Sequence, residues 1–141
     1  MAKMVYEILD EFEKAPTKHD KQNILRFNQS TALLFVLQAA LHPNINWVIK
    51  EVPTWKPSIA PPGLGYLTIA SEVSKMYLFR EGNPDVSPNL THEKLVNLFV
   101  QKLEGMEARE AQVLINAVLK NLKIKGLTYS LVKEVFPDLL P

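Results

Sequence analysis

The sequence contains no cysteine among its 141 residues. That absence excludes a disulfide framework, a thiol nucleophile and a thiolate metal site, and it fits a reducing cytosol. The sequence also lacks an excess of charge of either sign. Its 16 lysine and arginine residues are nearly balanced by 15 aspartate and glutamate residues, which gives a net charge of +1. Domains that bind nucleic acid usually have a surplus of basic residues, so any basic surface of this chain must be local.

Long hydrophobic runs are missing as well. The longest, from Ala32 to Leu37 and on past Gln38 to Leu41, is about half of a membrane span. The N-terminal residues lead into a polar pattern where a secretory signal would need an uninterrupted apolar region. We therefore expect neither secretion nor insertion into a membrane.

The length and a hydrophobic fraction of 47% suit one hydrophobic core, so we expect a single domain over residues 1–141. Apolar residues recur at helical spacing, and no segment alternates as a strand does. The segment 31–41 is apolar on all sides, which predicts a helix buried on every face at the centre of the domain. The sequence thus predicts an all-α fold of six or seven helices, over approximately 3–14, 17–28, 31–41, 68–79, 91–103, 107–122 and 128–136.

A proline-rich segment from Val52 to Gly65 interrupts this pattern. Its prolines exclude a regular helix. Long connections inside a small domain are usually functional or packed down by their own side chains, and Trp55 and Ile59 are the residues expected to provide that packing.

No pattern indicates catalysis. The three histidines are far apart and lack the spacing of metal ligands. The acidic groups have the spacing of solvated helix faces, and Gly63-Leu64-Gly65 lacks the residues that follow in a phosphate-binding loop. We therefore expect no catalytic residue, no metal site and no cofactor. The histidines are His19, His42 and His92, and the acidic groups are Glu7, Asp10 and Glu11, and Glu104, Glu107 and Glu110.

The most basic window of the chain lies near its C-terminus. Residues 120–133 contain four lysines and no acidic residue, and they read as a helix end, a turn through Gly126 and a new helix start. The backbone N–H groups of Leu127 to Ser130 could point at an anion such as a phosphate. Alternatively, Gly126 is only the left-handed residue after one helix and Thr128 the cap of the next, with lysines that complement a helix dipole.

Residues 126–137, with the sequence GLTYSLVKEVFP, resemble the end of the N-terminal helical domain of ATP-dependent DNA ligases of the T-even phage type. The resemblance extends along the whole chain, in the same order and spacing. Its other motifs are Ile8-Leu9-Asp10-Glu11, Lys21-Gln22-Asn23-Ile24-Leu25 followed by Asn28, Trp55-Lys56-Pro57-Ser58-Ile59-Ala60 and Gly65-Tyr66-Leu67-Thr68.

In that family the domain grips duplex DNA across the minor groove, with the glycine turn on phosphates. The resemblance therefore implies contacts with DNA from Lys56, Lys123, Lys125, Gly126, Leu127, Thr128, Tyr129, Ser130 and Lys133. The ligases continue into a nucleotidyltransferase domain with a Lys-x-Asp-Gly motif, and here Lys18-His19-Asp20 is followed by Lys21. The resemblance thus implies binding without nick sealing.

Two hypotheses follow. The first is a non-catalytic phage protein that binds duplex or nicked DNA with low sequence specificity in the host cytoplasm, beside phage or host replication or repair proteins. The Met1-Ala2-Lys3 start and the proline end favour a free-standing protein over a domain fragment. The second, which the near-neutral charge favours, is an adaptor that docks on a phage or host protein through Trp47, Trp55 and the proline-rich segment.

Overall fold

A computed structural model describes residues 3–56, 58–59, 66–84, 86 and 89–141. Within these residues the chain forms seven α-helices and no strand, with two isolated bridges that join Trp47 to Arg80 and Ser58 to Glu107. The prediction of an all-α fold with six or seven helices is confirmed. The helices are α1 (Val5–Lys14), α2 (Lys18–Phe27), α3 (Thr31–Leu41), α4 (Ile69–Glu72), α5 (His92–Glu104), α6 (Ala108–Val118) and α7 (Tyr129–Val135), and a 3-10 helix (Val73–Phe79) continues α4.

Side-chain hydroxyls cap the N-termini of five of the helices. In each, a hydroxyl oxygen accepts the backbone N–H of the residue three positions later, at 3.1 Å for Thr17 and Asp20. These bonds satisfy donors that the first helical turn leaves without a partner. The capping residues are Thr17, Ser30, Thr68, Thr91 and Thr128.

Helix α3 lies at the centre of the domain. Five of its residues are buried, and of the remaining six only Thr31, at its start, is exposed. Its most extensive packing is against α6, and one hydrophobic cluster contains residues from all seven helices. The predicted burial of segment 31–41 on every face holds in part, since beyond Thr31 five residues are buried and five are half-buried.

Two predicted helices differ from the observed ones. Over 68–79 only the first turn is α-helical, because Val73, Met76 and Phe79 recur every third residue and a 3-10 helix places such residues on one face against the core. The helix predicted over 107–122 ends at Val118, since Lys120 adopts a left-handed backbone with φ 61°.

The proline-rich segment is described only in part, because residues 57 and 60–65 lie outside the described ranges. Trp55 packs against the core as expected. The prediction for Ile59 is wrong, since its side chain is 99% exposed. Ser58 donates its backbone N–H to Met106 O at 3.3 Å, and successive residues of an extended chain point to opposite sides, so Ile59 turns outward. None of the described helices is long and apolar enough to cross a membrane.

Candidate nucleic-acid interface

The predicted DNA site centres on the connection between α6 and α7, residues 119–128, which we call the lysine turn. Three of its residues, spaced three apart, have left-handed backbones: Lys120 with φ 61°, Lys123 with φ 58° and Gly126 with φ 86°. Glycine is the residue that adopts this conformation without strain. The conformation was predicted for Gly126, whereas the two lysines gave no such signal.

Most backbone N–H groups of the lysine turn are used within the protein. Lys123 N–H donates to Asn121 Oδ1 at 3.2 Å, and Leu127 N–H donates to Ile124 O at 3.2 Å. Lys125 N–H donates to the Glu13 carboxylate at 3.1 Å. The N–H of Leu127, expected to face an anion, is therefore occupied. The amides of Thr128, Tyr129 and Ser130 have no acceptor in the part of the chain that the structure describes.

Lys120 serves the fold. Its ammonium group donates to three backbone carbonyls at and after the end of α3, those of Ala39 at 3.3 Å, His42 at 2.7 Å and Ile45 at 2.6 Å. A cation at this position also complements the negative end of the helix dipole. Burial lowers the pKa of Lys120, and the charge of Lys50 lowers it further.

Lys133 and Tyr129 hold the C-terminal residues. Lys133 Nζ donates to Pro137 O at 2.9 Å and to Leu140 O at 2.7 Å, and the Tyr129 hydroxyl donates to Pro141 O. Leu140 is itself buried in the core. Both side chains, predicted to contact DNA, are thus engaged with the protein's own backbone.

Lys123 and Lys125 are exposed, and neither has an ion-pair partner among the described residues. They are the two lysines of the basic window whose ammonium groups do not serve the fold. The Glu13 carboxylate on the backbone of Lys125 partly offsets their positive potential. The structure therefore leaves a small basic surface of Lys123 and Lys125, with the exposed residues Gly126, Thr128 and Ser130 beside it.

Three grooves adjoin this surface. One of about 490 Å³ separates the lysine turn from Ala40 and Leu41 of α3, and one of about 320 Å³ lies between α1 and α6. Lys123 lines both, so it stands on a ridge between them. A third, of about 370 Å³, lies between the start of α2 and the second half of the lysine turn and is lined by Lys18, Lys21, Gly126, Thr128 and Ser130 among others.

Lys21 adjoins Gly126 but faces inward. Its ammonium group donates to the carbonyls of Phe12 at 2.8 Å and Glu13 at 3.2 Å, at the end of α1. A Cβ built on Gly126 would lie 3.5 Å from Lys21 Cε, an ordinary contact. The backbone φ of 86°, rather than lack of space, is therefore what favours glycine at this position.

Lys56 is not brought to the lysine turn. Its backbone N–H donates to Glu104 at 3.4 Å, close to the start of α6, whereas the lysine turn follows the end of that helix. A helix rises about 1.5 Å per residue, so the length of α6 separates Lys56 from the lysine turn by roughly 15 Å.

Two acidic residues were assigned wrongly from the sequence. Glu104 is exposed, but Glu107 is 7% exposed and Glu110 only 2%. Glu107 caps α6 by accepting the N–H groups of Arg109 at 3.1 Å and Glu110 at 3.4 Å. Helical spacing alone did not show that both face the interior. No group of three or more possible metal-ligating side chains occurs within the described residues.

Trp47 was a residue of the adaptor hypothesis, and it is unavailable for docking. It is 3% exposed, its Nε1–H donates to Ala39 O at 3.1 Å, and its ring meets Phe35 edge-on. That part of the hypothesis is wrong, because the side chain belongs to the core.

Comparison with curated proteins gives no match. Residues 8–124 match the model of a family described as "Family of unknown function (DUF6433)". The matched span runs from within α1 through α6 and includes Lys123, and it ends just before Lys125 and Gly126. The match covers most of the chain, and the protein therefore belongs to the DUF6433 family.

Proposed function

We propose that this protein binds duplex or nicked DNA without catalysis, through contacts of the lysine turn with backbone phosphates. The observation that carries the proposal is the pair of exposed lysines, Lys123 and Lys125, which have no ion-pair partner among the described residues and lie on one turn. Lysines that do not serve the fold are available to neutralise phosphates.

The amides of Thr128, Tyr129 and Ser130 add donors without an acceptor in the described chain, and Thr128 and Ser130, which carry hydroxyls, are exposed residues. Contacts of this kind position a protein on DNA and do not read bases. The proposed binding therefore has low sequence specificity. The resemblance to the N-terminal domain of phage DNA ligases supports the same assignment and suggests a phage protein in the host cytoplasm, with replication or repair proteins as neighbours.

Fluorescence anisotropy of a labelled duplex, titrated at several salt concentrations, tests this proposal. The parent chain should bind at low salt and weaken steeply as salt rises, because neutralising phosphates releases counterions. In Lys123→Ala/Lys125→Ala the slope of log affinity against log salt should fall by about two, roughly one for each lost phosphate contact.

Lys94→Ala is the matched control, since Lys94 is exposed on α5 and also has no ion-pair partner in the described ranges. It should bind like the parent. Equal binding by the parent and by a folded Lys123→Ala/Lys125→Ala variant would show that the lysine turn is not a DNA site.

The alternative is a protein-interaction adaptor. Two large apolar side chains favour it, since Ile59, within the proline-rich segment, is 99% exposed and Tyr66, directly after that segment, is 92% exposed. Trp55, half-buried at the base of the segment, would contribute, and Trp47 would not. Binding to a protein through these residues would resist salt and would be lost in Ile59→Ser/Tyr66→Ser, which the DNA proposal expects to leave duplex binding unchanged.

A further inference from the structure

Glu110 is buried without adequate partners. It lies in the first turn of α6, is 2% exposed, and its Oε1 has no hydrogen-bond partner among the described residues. A buried ionised carboxylate usually has a charged partner or several hydrogen bonds, because taking a charge out of water is costly. Glu110 has neither, so its presence in the core needs an explanation.

The charges that act on Glu110 have the same sign as its own. Glu107 on α6 and Glu7 on α1 both act to raise its pKa. The backbone amide of Ile69, at the start of α4, acts in the opposite direction through a hydrogen bond. Arg109, which precedes Glu110 in the sequence, is directed elsewhere, since it pairs with Asp10 at 2.7 Å and stacks on the ring of Tyr6.

Burial is the largest effect, and together with these carboxylates it raises the pKa of Glu110 to about 7. The carboxyl group is then neutral in the folded protein over a pH range in which an exposed glutamate is ionised. The geometry also favours the neutral carboxyl group, because burying an oxygen without a partner costs far less free energy when the group is protonated than when it is ionised.

We propose that Glu110 is a proton-operated latch, which holds α6 against α1 and the start of α4 while protonated and loosens this contact when it loses its proton. The latch lies where the chain returns from the proline-rich segment. Leu67 N–H donates to Gly105 O at 2.8 Å, and Ile69, next to Glu110, is the first residue of α4 and 1% exposed. If Glu110 ionised beside Glu107 and Glu7, the contact between α6 and the start of α4 at Ile69 would be the first to be disturbed.

Urea unfolding from pH 4.5 to pH 8, followed by circular dichroism, measures the effect. Between pH 4.5, the ordinary pKa, and about pH 7, Glu110 is protonated in the folded state and ionised in the unfolded state. The stabilisation from protonated Glu110 is therefore fully present below pH 4.5 and is lost as the pH rises to about 7. The unfolding constant of the parent, relative to that of Glu110→Gln, should rise by up to about 300-fold over this range, the factor given by 2.5 pKa units.

Glu104→Gln is the control, because Glu104 is exposed one turn before α6, and its profile should follow that of the parent. Parallel profiles of the parent and Glu110→Gln would overturn the proposal.

If Glu110→Gln does not fold, the carboxyl carbon of Glu110 in the parent can be titrated by NMR. A midpoint near pH 7, with faster amide exchange at Ile69 above that pH, supports the latch. A midpoint near 4.5 refutes it. Neither readout involves DNA, so failure of the latch is distinguishable from failure of the proposed function.

Discussion

Replacing Lys120 with methionine should destabilise the fold by about 2–3 kcal/mol, although Lys120 lies in the predicted DNA-binding window. Its ammonium group donates to Ala39 O, His42 O and Ile45 O. After the substitution, Ala39 O would keep the indole of Trp47 and His42 O would keep the N–H of Ile45 at 3.3 Å, whereas no other donor is found for Ile45 O in the described chain.

The magnitude follows from that distribution. A hydrogen bond to a charged group contributes about 1.5–3 kcal/mol. The two shorter bonds would be lost, and of their two acceptors only His42 O would retain another donor. Lys120 is half-buried, so the low end of the range applies to each. Methionine keeps most of the aliphatic stem, which limits the loss of packing.

Urea unfolding followed by tryptophan fluorescence is a suitable assay, because Trp47 bonds the same carbonyl of Ala39. Lys123→Met is a closely matched control. Lys120 and Lys123 both have φ near 60°, and of these two lysines only Lys120 bonds carbonyls through its ammonium group. The control should change the free energy of unfolding by less than about 0.5 kcal/mol, as surface substitutions do. Equal stabilities of the two variants would refute the role of Lys120.

Three further substitutions test the same region by urea unfolding. Lys123→Gly should stabilise the fold by about 1 kcal/mol, because glycine adopts the left-handed backbone of this position without the strain that lysine has there. In the anisotropy assay the same variant should weaken DNA binding. A loss of stability would contradict the presence of backbone strain at Lys123. Gly126→Ala should cost about 1–2 kcal/mol, even though Lys21 leaves room for the Cβ, and an unchanged midpoint would show that φ there relaxes. Trp47→Phe removes the indole donor and should cost about 1–2 kcal/mol, whereas a neutral effect would mean that Lys120 alone satisfies Ala39 O.

The helices could be predicted from the sequence because their signals are local. The hydroxyl of Thr17 accepts an N–H three residues away, and the apolar composition of α3 requires burial whatever surrounds it. The same reasoning predicted the left-handed Gly126, since glycine alone adopts that backbone without strain.

The roles of the polar side chains depend on residues that are distant in the sequence, and only the tertiary structure decided them. The ammonium group of Lys120 bonds a carbonyl of α3 about eighty positions earlier, and the carboxylate of Glu13 in α1 accepts the backbone N–H of Lys125. The four lysines of one basic window therefore differ in role, because the packing brings backbone carbonyls to the ammonium groups of Lys120 and Lys133. Among the described residues it brings no such acceptor to those of Lys123 and Lys125. Glu110 has the spacing of a solvated face but is buried, since helix α6 is covered by neighbours that its own residues do not reveal.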